Sequence, residues 1–376
     1  MVFGTDLSMN FDKRRITFEG SFQASIQNSD AGGPELVWDD LVKIDSSLAD
    51  NSGAESAFNF IKNSGFLSAT AGLNPLPSYA MQFDLYLRYF RNNFKVTYLN
   101  IERDFAAPGN PYLLKDISGL YFFDNVRLFE NQVFLNLFFK SYSNNLTDDK
   151  YSTDNSELGA TISYFPLGNY PSVTLGYTSY SRSNGVTDDD TTANPFLYIE
   201  DNSTQQINFS SSYNLYLNKI KNTLLLNLTT YARDDIGNSL SKTDFNSFTV
   251  GIRSAFDFPL TSKLSFTQSS TEVGDTLSTT DISRYNLNLE YKFFNIIDVD
   301  ILKPFFNVSI QSLDYGSAGS TDRNNFAGGL VYQSSTYGVF SLKYYQISYK
   351  LPSTLNNSNE KTINDSIFNL RYEYLF

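Results

Sequence analysis

The closing stretch Phe368-Asn369-Leu370-Arg371-Tyr372-Glu373-Tyr374-Leu375-Phe376 decides how the rest of the chain is read. Phe368, Leu370, Tyr372, Tyr374 and Phe376 take every second position, and Asn369, Arg371 and Glu373 lie between them. Successive side chains of a β-strand point to opposite faces, so this segment offers one apolar wall and one polar wall.

The same alternation recurs upstream. Tyr285, Leu287, Leu289, Tyr291 and Phe293 oppose Asn286, Asn288, Glu290 and Lys292; Ile207, Phe209, Tyr213, Leu215 and Leu217 oppose Asn208, Ser210, Ser212 and Asn214. Phe83, Leu85, Leu87 and Tyr89 oppose Asp84, Tyr86 and Arg88, and near the start Ile16, Phe18, Phe22, Ala24 and Ile26 oppose Thr17, Glu19, Ser21, Gln23 and Ser25. These segments run a little longer than the about 9–11 residues that cross a bilayer as a tilted strand. A soluble β-sandwich alternates as well. Here the polar side carries Asn, Ser, Thr and charge, whereas Phe, Tyr and Leu gather on the other side near both strand ends, as aromatic girdles do.

Connections alternate between short and long along the chain. Short links are expected at Arg91-Asn92-Asn93, Glu130-Asn131, Leu167 to Pro171, Asn218-Lys219, Pro259 to Ser262, Asn295 to Asp298 and Ser334-Ser335. Longer polar links centre on Ala106 to Lys115, Asn144 to Asn155, Asn184 to Ser203, Asp235 to Lys242, Gly274 to Thr280, Gly316 to Thr321 and Pro352 to Lys361. About fifteen strands follow Tyr79 and Arg15 to Gln27 adds one, an even total of about sixteen within a range of about 14–18, with Thr5 to Phe11 a further possible strand. The expected fold is an all-β transmembrane, antiparallel up-and-down β-barrel, with residues 1–376 forming one domain.

One segment breaks the alternation. Between Asn28 and Ser78, Pro34 opens a stretch to Asp50 with Val37, Leu41, Ile44 and Leu48 at helical spacing and Trp38 beside them. A second short helix is expected over Ala54 to Lys62, with Ala54, Phe58 and Ile61 on one face. An insertion of this length is too long for an ordinary connection. It reads as a hatch folded into the lumen or as a cap over the rim, with Trp38, Leu41, Ile44, Leu48, Phe58 and Ile61 as its apolar positions. Gly65 to Ala71 reads as a partial strand returning to the wall.

Composition closes several routes. The 376 residues include no Cys and no His, so cysteine chemistry and Ser-His-Asp hydrolysis are excluded and the commonest metal ligands are missing. With 28 Lys plus Arg against 40 Asp plus Glu, the net charge of −12 argues against general nucleic-acid binding. No run approaches the about 18 apolar residues of a membrane helix. The start Met1-Val2-Phe3-Gly4 has no basic region followed by an apolar core, so any export signal is expected to be removed or to belong to a longer precursor.

The carboxyl-terminal run resembles the terminal assembly signal of Gram-negative outer-membrane β-barrel proteins, formed here by Phe368, Leu370, Tyr372, Tyr374 and Phe376. That resemblance is to a porin-like superfamily and covers the repeat structure of nearly the whole chain, without naming a family within it. It implies a bacterial outer-membrane location, with lipid, lipopolysaccharide and the barrel-assembly machinery as partners. Barrel enzymes of that class rely on histidine, which this chain lacks, so no enzymatic activity and no cofactor is expected.

The predicted lumen face carries Arg88, Lys95, Lys140, Arg253, Lys292, Lys343 and Arg371, with Glu19, Asp84, Glu290 and Glu373. This local basic excess favours anions although the chain is acidic; the bland reading is that neighbours such as Arg371 and Glu373 pair across water. Tyr86, Phe138, Tyr216 and Tyr345 on the same face suit stacking on sugar rings or packing against a hatch. Acidic pairs such as Asp148-Asp149, Asp188-Asp189-Asp190 and Asp234-Asp235 lack the spacing of an EF-hand loop and read as solvated loops, so no metal site is assigned. The expected function is passive passage of small solutes through the lumen. Two alternatives are a sealed surface barrel serving adhesion or anchoring a larger polypeptide, and a soluble all-β carbohydrate-binding protein that hides its aromatic stripes in a core.

Overall fold

The computed structural model describes residues 2–27, 32–35, 37–44, 46–64, 70, 77–107, 110, 113–144, 152–194, 197–235, 237, 242–274, 278–295, 300–316, 319–351 and 361–374. The architecture is an all-β, antiparallel up-and-down sheet of 18 strands with few helices. In chain order these are β1 (Val2–Phe11), β2 (Ile16–Ser25), β3 (Ser78–Tyr89), β4 (Asn92–Ile101), β5 (Ile117–Leu128), β6 (Val133–Asn144), β7 (Thr153–Tyr164), β8 (Ser172–Ser183) and β9 (Asp201–Leu217). They continue as β10 (Ile220–Asp235), β11 (Thr243–Ala255), β12 (Leu260–Val273), β13 (Ser278–Tyr291), β14 (Phe293–Phe294), β15 (Ile301–Asp314), β16 (Ser320–Ser334), β17 (Gly338–Leu351) and β18 (Lys361–Glu373).

The strand inventory departs from expectation in two places. Val2–Phe11 is a full strand paired with β2, Phe11 opposite Ile16 and Val2 opposite Ser25. The two-residue β14 pairs with β15 beside β13, as a continuation broken at Lys292. Seventeen full-length strands and one stub therefore replace the expected even sixteen.

The chain divides into two compact units. The first comprises Met1–Val126, Asn136–Leu158 and Tyr180–Asp201; the second comprises Arg127–Leu135, Gly159–Ser179 and Asn202–Phe376. In the first, β1 to β5 pair in sequence, and in the second, β9 to β18 do the same.

Short and long links alternate, though less cleanly than the sequence suggested. β3 and β4 are joined by Phe90-Arg91, and β9 and β10 by Asn218-Lys219. Two-residue hairpins need left-handed backbone because that twist matches the flanking strands. Phe90 at φ 51° and Arg91 at φ 64° supply it without the usual Asn or Gly, held there by the register on either side. The lengths overlap, however: the link expected to be long at Gly274–Thr280 has only four residues before β13 begins at Ser278, whereas residues 165–171 form a seven-residue link on the short side. The strands of the second unit simply run further than a membrane crossing needs, up to 17 residues in β9.

The insertion after β2 is helical, with a break inside the stretch expected to be continuous. The first helix, α1, spans Trp38–Ile44, a single 3-10 turn spans Ser46–Leu48, and α2 spans Ser52–Ser64. The break between α1 and the 3-10 turn falls at residue 45, which lies outside the described residues. Asn51 starts α2, its Oδ1 accepting the Ala54 amide hydrogen at 3.0 Å. Residues 65–69 and 71, where a partial strand was expected, lie outside the described residues; Thr70 forms an isolated bridge with Glu35.

Burial inverts the usual globular arrangement. The buried apolar residues among those described are Ile26, Leu41, Leu48, Ala54, Phe58, Ile101, Phe105, Ile117 and Val186, all in the insertion, in links or at strand ends. Away from the strand ends, the buried side chains are polar, among them Asp84, Thr97, Gln311 and Ser341. Conversely Phe83, Tyr98, Leu120, Leu228, Val250, Leu264, Tyr285, Phe306 and Phe326 are exposed. In β11 the two faces separate cleanly, with Asn246, Phe248 and Val250 exposed while Ser247 and Thr249 are half-buried and Gly251 is buried.

Candidate functional site

The register assembles the apolar stripes into continuous rows. One row crosses the first unit as Met9, Phe18, Leu85, Val96 and Phe122. Another crosses the second as Tyr213, Leu224, Ile252, Leu264, Leu287, Val308 and Phe326. The opposite, polar face is the candidate functional surface.

In the first unit that face carries Glu19, Asp84, Arg88 and Lys95 together, as expected. Glu19 stands directly opposite Asp84, and Asp84 opposite Thr97. Asp84 is 7% exposed and accepts hydrogen bonds from the Thr97 hydroxyl and from Gln82 Nε2 at 2.7 Å. Lys95 Nζ lies 3.0 Å from Asp84 Oδ1 and 4.9 Å above the Tyr86 ring, with the Arg88 guanidinium 5.9 Å from the same ring. A cavity of about 560 Å³ occurs in the second unit and a smaller one of about 330 Å³ here, lined by Asp6, Glu19, Ser21, Gln82 and Asp84. Lys140 is held by Glu157 at 2.8 Å beside Phe138.

The link after β4 folds back over this polar face. Phe105 is 1% exposed, packed with Ile101 and Ile117 and flanked by Ala80, Leu99, Leu113 and Tyr142. Ala80, Leu99 and Ile117 share the face of Thr97 and Asp84 by register, so the contact is on the polar side at the long-link end. The Ala106 amide donates to Ser25 Oγ at 2.9 Å, tying the same link to the end of β2. From sequence, residues 106–115 read as a polar link; the signal for its packing is the apolar Phe105 just before it and Leu113 within it.

The helical insertion closes on its own core. Leu41, Leu48, Ala54 and Phe58 pack with Ile26 just beyond β2, and the Trp38 ring sits 5.7 Å from that of Phe58. Lys62 reaches Glu35 at 3.1 Å. Ile44 and Ile61, the other two expected apolar positions, are in the helical stretches, but their side chains lie outside the described residues.

In the second unit Arg253, Glu290, Lys292, Lys343, Arg371 and Glu373 fall on the polar face. Arg371 pairs with Glu373, and Lys292 Nζ is 3.6 Å from Glu290 Oε1. The cavity is lined by Leu225, Arg253, Thr261, Lys263, Ser265, Asn286, Asn288, Glu290, Lys292 and Asn307. Lys263 escaped sequence reading because the expected turn at Pro259 to Ser262 placed it on a boundary, whereas β12 begins at Leu260. Arg284 and Arg323 also join this face, donating to Gln311 Oε1 at 3.0 Å and Asn325 Oδ1 at 3.2 Å.

Of the terminal signal, Phe368, Leu370, Tyr372 and Tyr374 are exposed on the apolar side, and Phe376 lies outside the described residues. In the acidic link after β8, a short helix α3 (Asp188–Ala193) uses Asp190 as a cap, accepting from the Thr187 amide at 3.1 Å and hydroxyl at 2.9 Å. Asp235 is engaged by Arg233 at 3.2 Å.

No protein-family model and no curated protein matches the sequence. Among solved structures, the chain is similar to a bacterial polysaccharide outer membrane secretin, at 7% identity and a TM-score of 0.33, covering 80% of this chain and 91% of that one. It is also similar to OccK10 (OpdN) of Pseudomonas aeruginosa, at 11% identity and a TM-score of 0.32, covering 80% and 94%.

Proposed function

We propose that this chain is a bacterial outer-membrane β-barrel channel through which small solutes pass passively. The observation that carries the reading is the inverted burial: strand after strand exposes Phe, Leu and Tyr in registered rows while the opposite face holds Asn, Thr, Ser and charge. A soluble monomer exposes apolar patches of only about 300–600 Å², and a soluble sandwich would turn these rows inward. A lipid-facing sheet requires the arrangement found here, because hydrocarbon solvates apolar side chains while water fills the side carrying polar ones. Closed into a barrel, seventeen strands would leave a bore wider than side chains alone fill. The folded-back link around Phe105 and the helical insertion supply the narrowing. No covalent step is assigned to any residue: the polar face works by field and hydrogen bonding.

The test is conductance of the purified protein in planar bilayers. Stable conductance is expected, rising when Glu35 to Lys62 is deleted. Silence of both proteins overturns the channel reading in favour of a sealed anchoring barrel.

A further inference from the structure

The register of the second unit sets two cations directly against one another. Arg253 on β11 is the cross-strand partner of Lys263 on β12. Directly opposed side chains have Cβ atoms about 4.5–5.5 Å apart, and like charges in that position destabilise the pairing. Among the described residues neither cation has a carboxylate partner, and the nearby carboxylate, Glu290, is already beside Lys292 at 3.6 Å. The same row continues from Lys263 to Asn288 and Asn307, so two amides lie next to the two cations. Arg253, Lys263, Lys292, Asn286, Asn288 and Asn307 all line the cavity of about 560 Å³, a volume that admits a small solute.

We propose that this cavity is an anion subsite on the channel wall, taking a small hydroxylated solute that carries one carboxylate or phosphate group. The subsite rests on the channel reading for its role, though not for its binding chemistry. Arg253 offers a planar fork suited to two oxygens of the acid group, and Lys263 adds a point charge from the adjoining strand. The acid group turns a repulsive pair into a bridged one. Asn286, Asn288 and Asn307 each present a donor and an acceptor, the combination that a hydroxyl needs.

Calorimetric titration of the detergent-solubilised full chain with gluconate, with glucose as the uncharged counterpart, tests the assignment. Gluconate is expected to bind at least about tenfold more tightly than glucose at low salt, the size of one charge-assisted hydrogen bond, and to lose that advantage at high salt. Arg253→Gln and Lys263→Gln are each expected to weaken gluconate about tenfold, while Lys13→Gln, in the exposed turn between β1 and β2, leaves it unchanged. Inorganic phosphate competing with gluconate supports recognition of the acid group. Equal affinity for gluconate and glucose, no binding of either, or full affinity in both cavity variants overturns the subsite. Bilayer recordings of the same preparations separate the two readings: conductance without gluconate binding sinks the subsite alone, and binding without conductance sinks the channel alone.

Discussion

Leu264 offers the sharpest test of which solvent the apolar rows meet. It is the fifth residue of β12, on the row between Ile252 and Leu287, and 52% exposed. Four steps of about 3.4 Å from Leu260, along a strand tilted by about 40°, place it about 10 Å above the short-turn end, close to the middle of an apolar band about 25 Å tall. An arginine near the midplane of such a band costs about 2–4 kcal/mol, whereas an exposed position on a soluble protein tolerates it within about 0.5 kcal/mol. Ser269, five residues on in the same strand, faces the polar side with Ser247 and provides the control. Equilibrium denaturation of the two variants in lipid vesicles is expected to show Leu264→Arg losing about 2–4 kcal/mol and Ser269→Arg little. Equal stability of Leu264→Arg and the parent chain would refute the lipid-facing assignment of the whole row.

Asp84→Leu strands the half-exposed Lys95 ammonium and the Thr97 hydroxyl that it now satisfies, and is expected to cost about 1.5–3 kcal/mol in a urea titration. Adding Lys95→Met to that variant is expected to restore part of the loss; a purely additive double variant would show the pair to be uncoupled. Phe58→Ala removes the central ring of the insertion, at about 3–5 kcal/mol for a large buried aromatic, and limited proteolysis is expected to open residues 35–62 while the sheet stays folded. Simultaneous loss of both would show that the insertion and the sheet fold as one cooperative unit.

The strands were legible because an apolar face and a polar face both impose period two, so a residue such as Leu287 between Asn286 and Asn288 can only read one way. Cross-strand register was not legible, since it depends on where each strand begins. Lys263 shows the consequence: a turn placed a few residues late removed it from the polar face, and with it the opposed pair with Arg253 that defines the cavity. The hairpin of Val2–Phe11 was similarly obscured by the left-handed turn Asp12-Lys13-Arg14, where φ values of 55° and 67° fall on Lys13 and Arg14, residues that do not announce a turn. In the insertion, helical spacing identified Leu41, Leu48 and Phe58 as core, but apolar spacing runs on through a break in the backbone, so it gave one helix where α1 and a 3-10 turn stand.

The acidic net charge and the basic cavity are compatible because the charges are segregated along the strands. In the second unit, Asp244 stands opposite Glu272 and Asp281 opposite Asp314, all at the long-link ends and on the side of the apolar rows. Arg253, Lys263 and Lys292 lie towards the short-turn end on the polar side. From Asp281 on β13 to Lys292 just past its end is eleven residues, about 37 Å of extended chain. That is more than four Debye lengths at physiological salt, where the length is about 8 Å. The carboxylates at the far end therefore do not cancel the field at the cavity, whose own lining carries Glu290 and three cations. On the channel reading, a salt gradient across a bilayer holding the chain is expected to drive a reversal potential of anion preference, weakened in Arg253→Gln; a potential of cation preference would overturn the field argument.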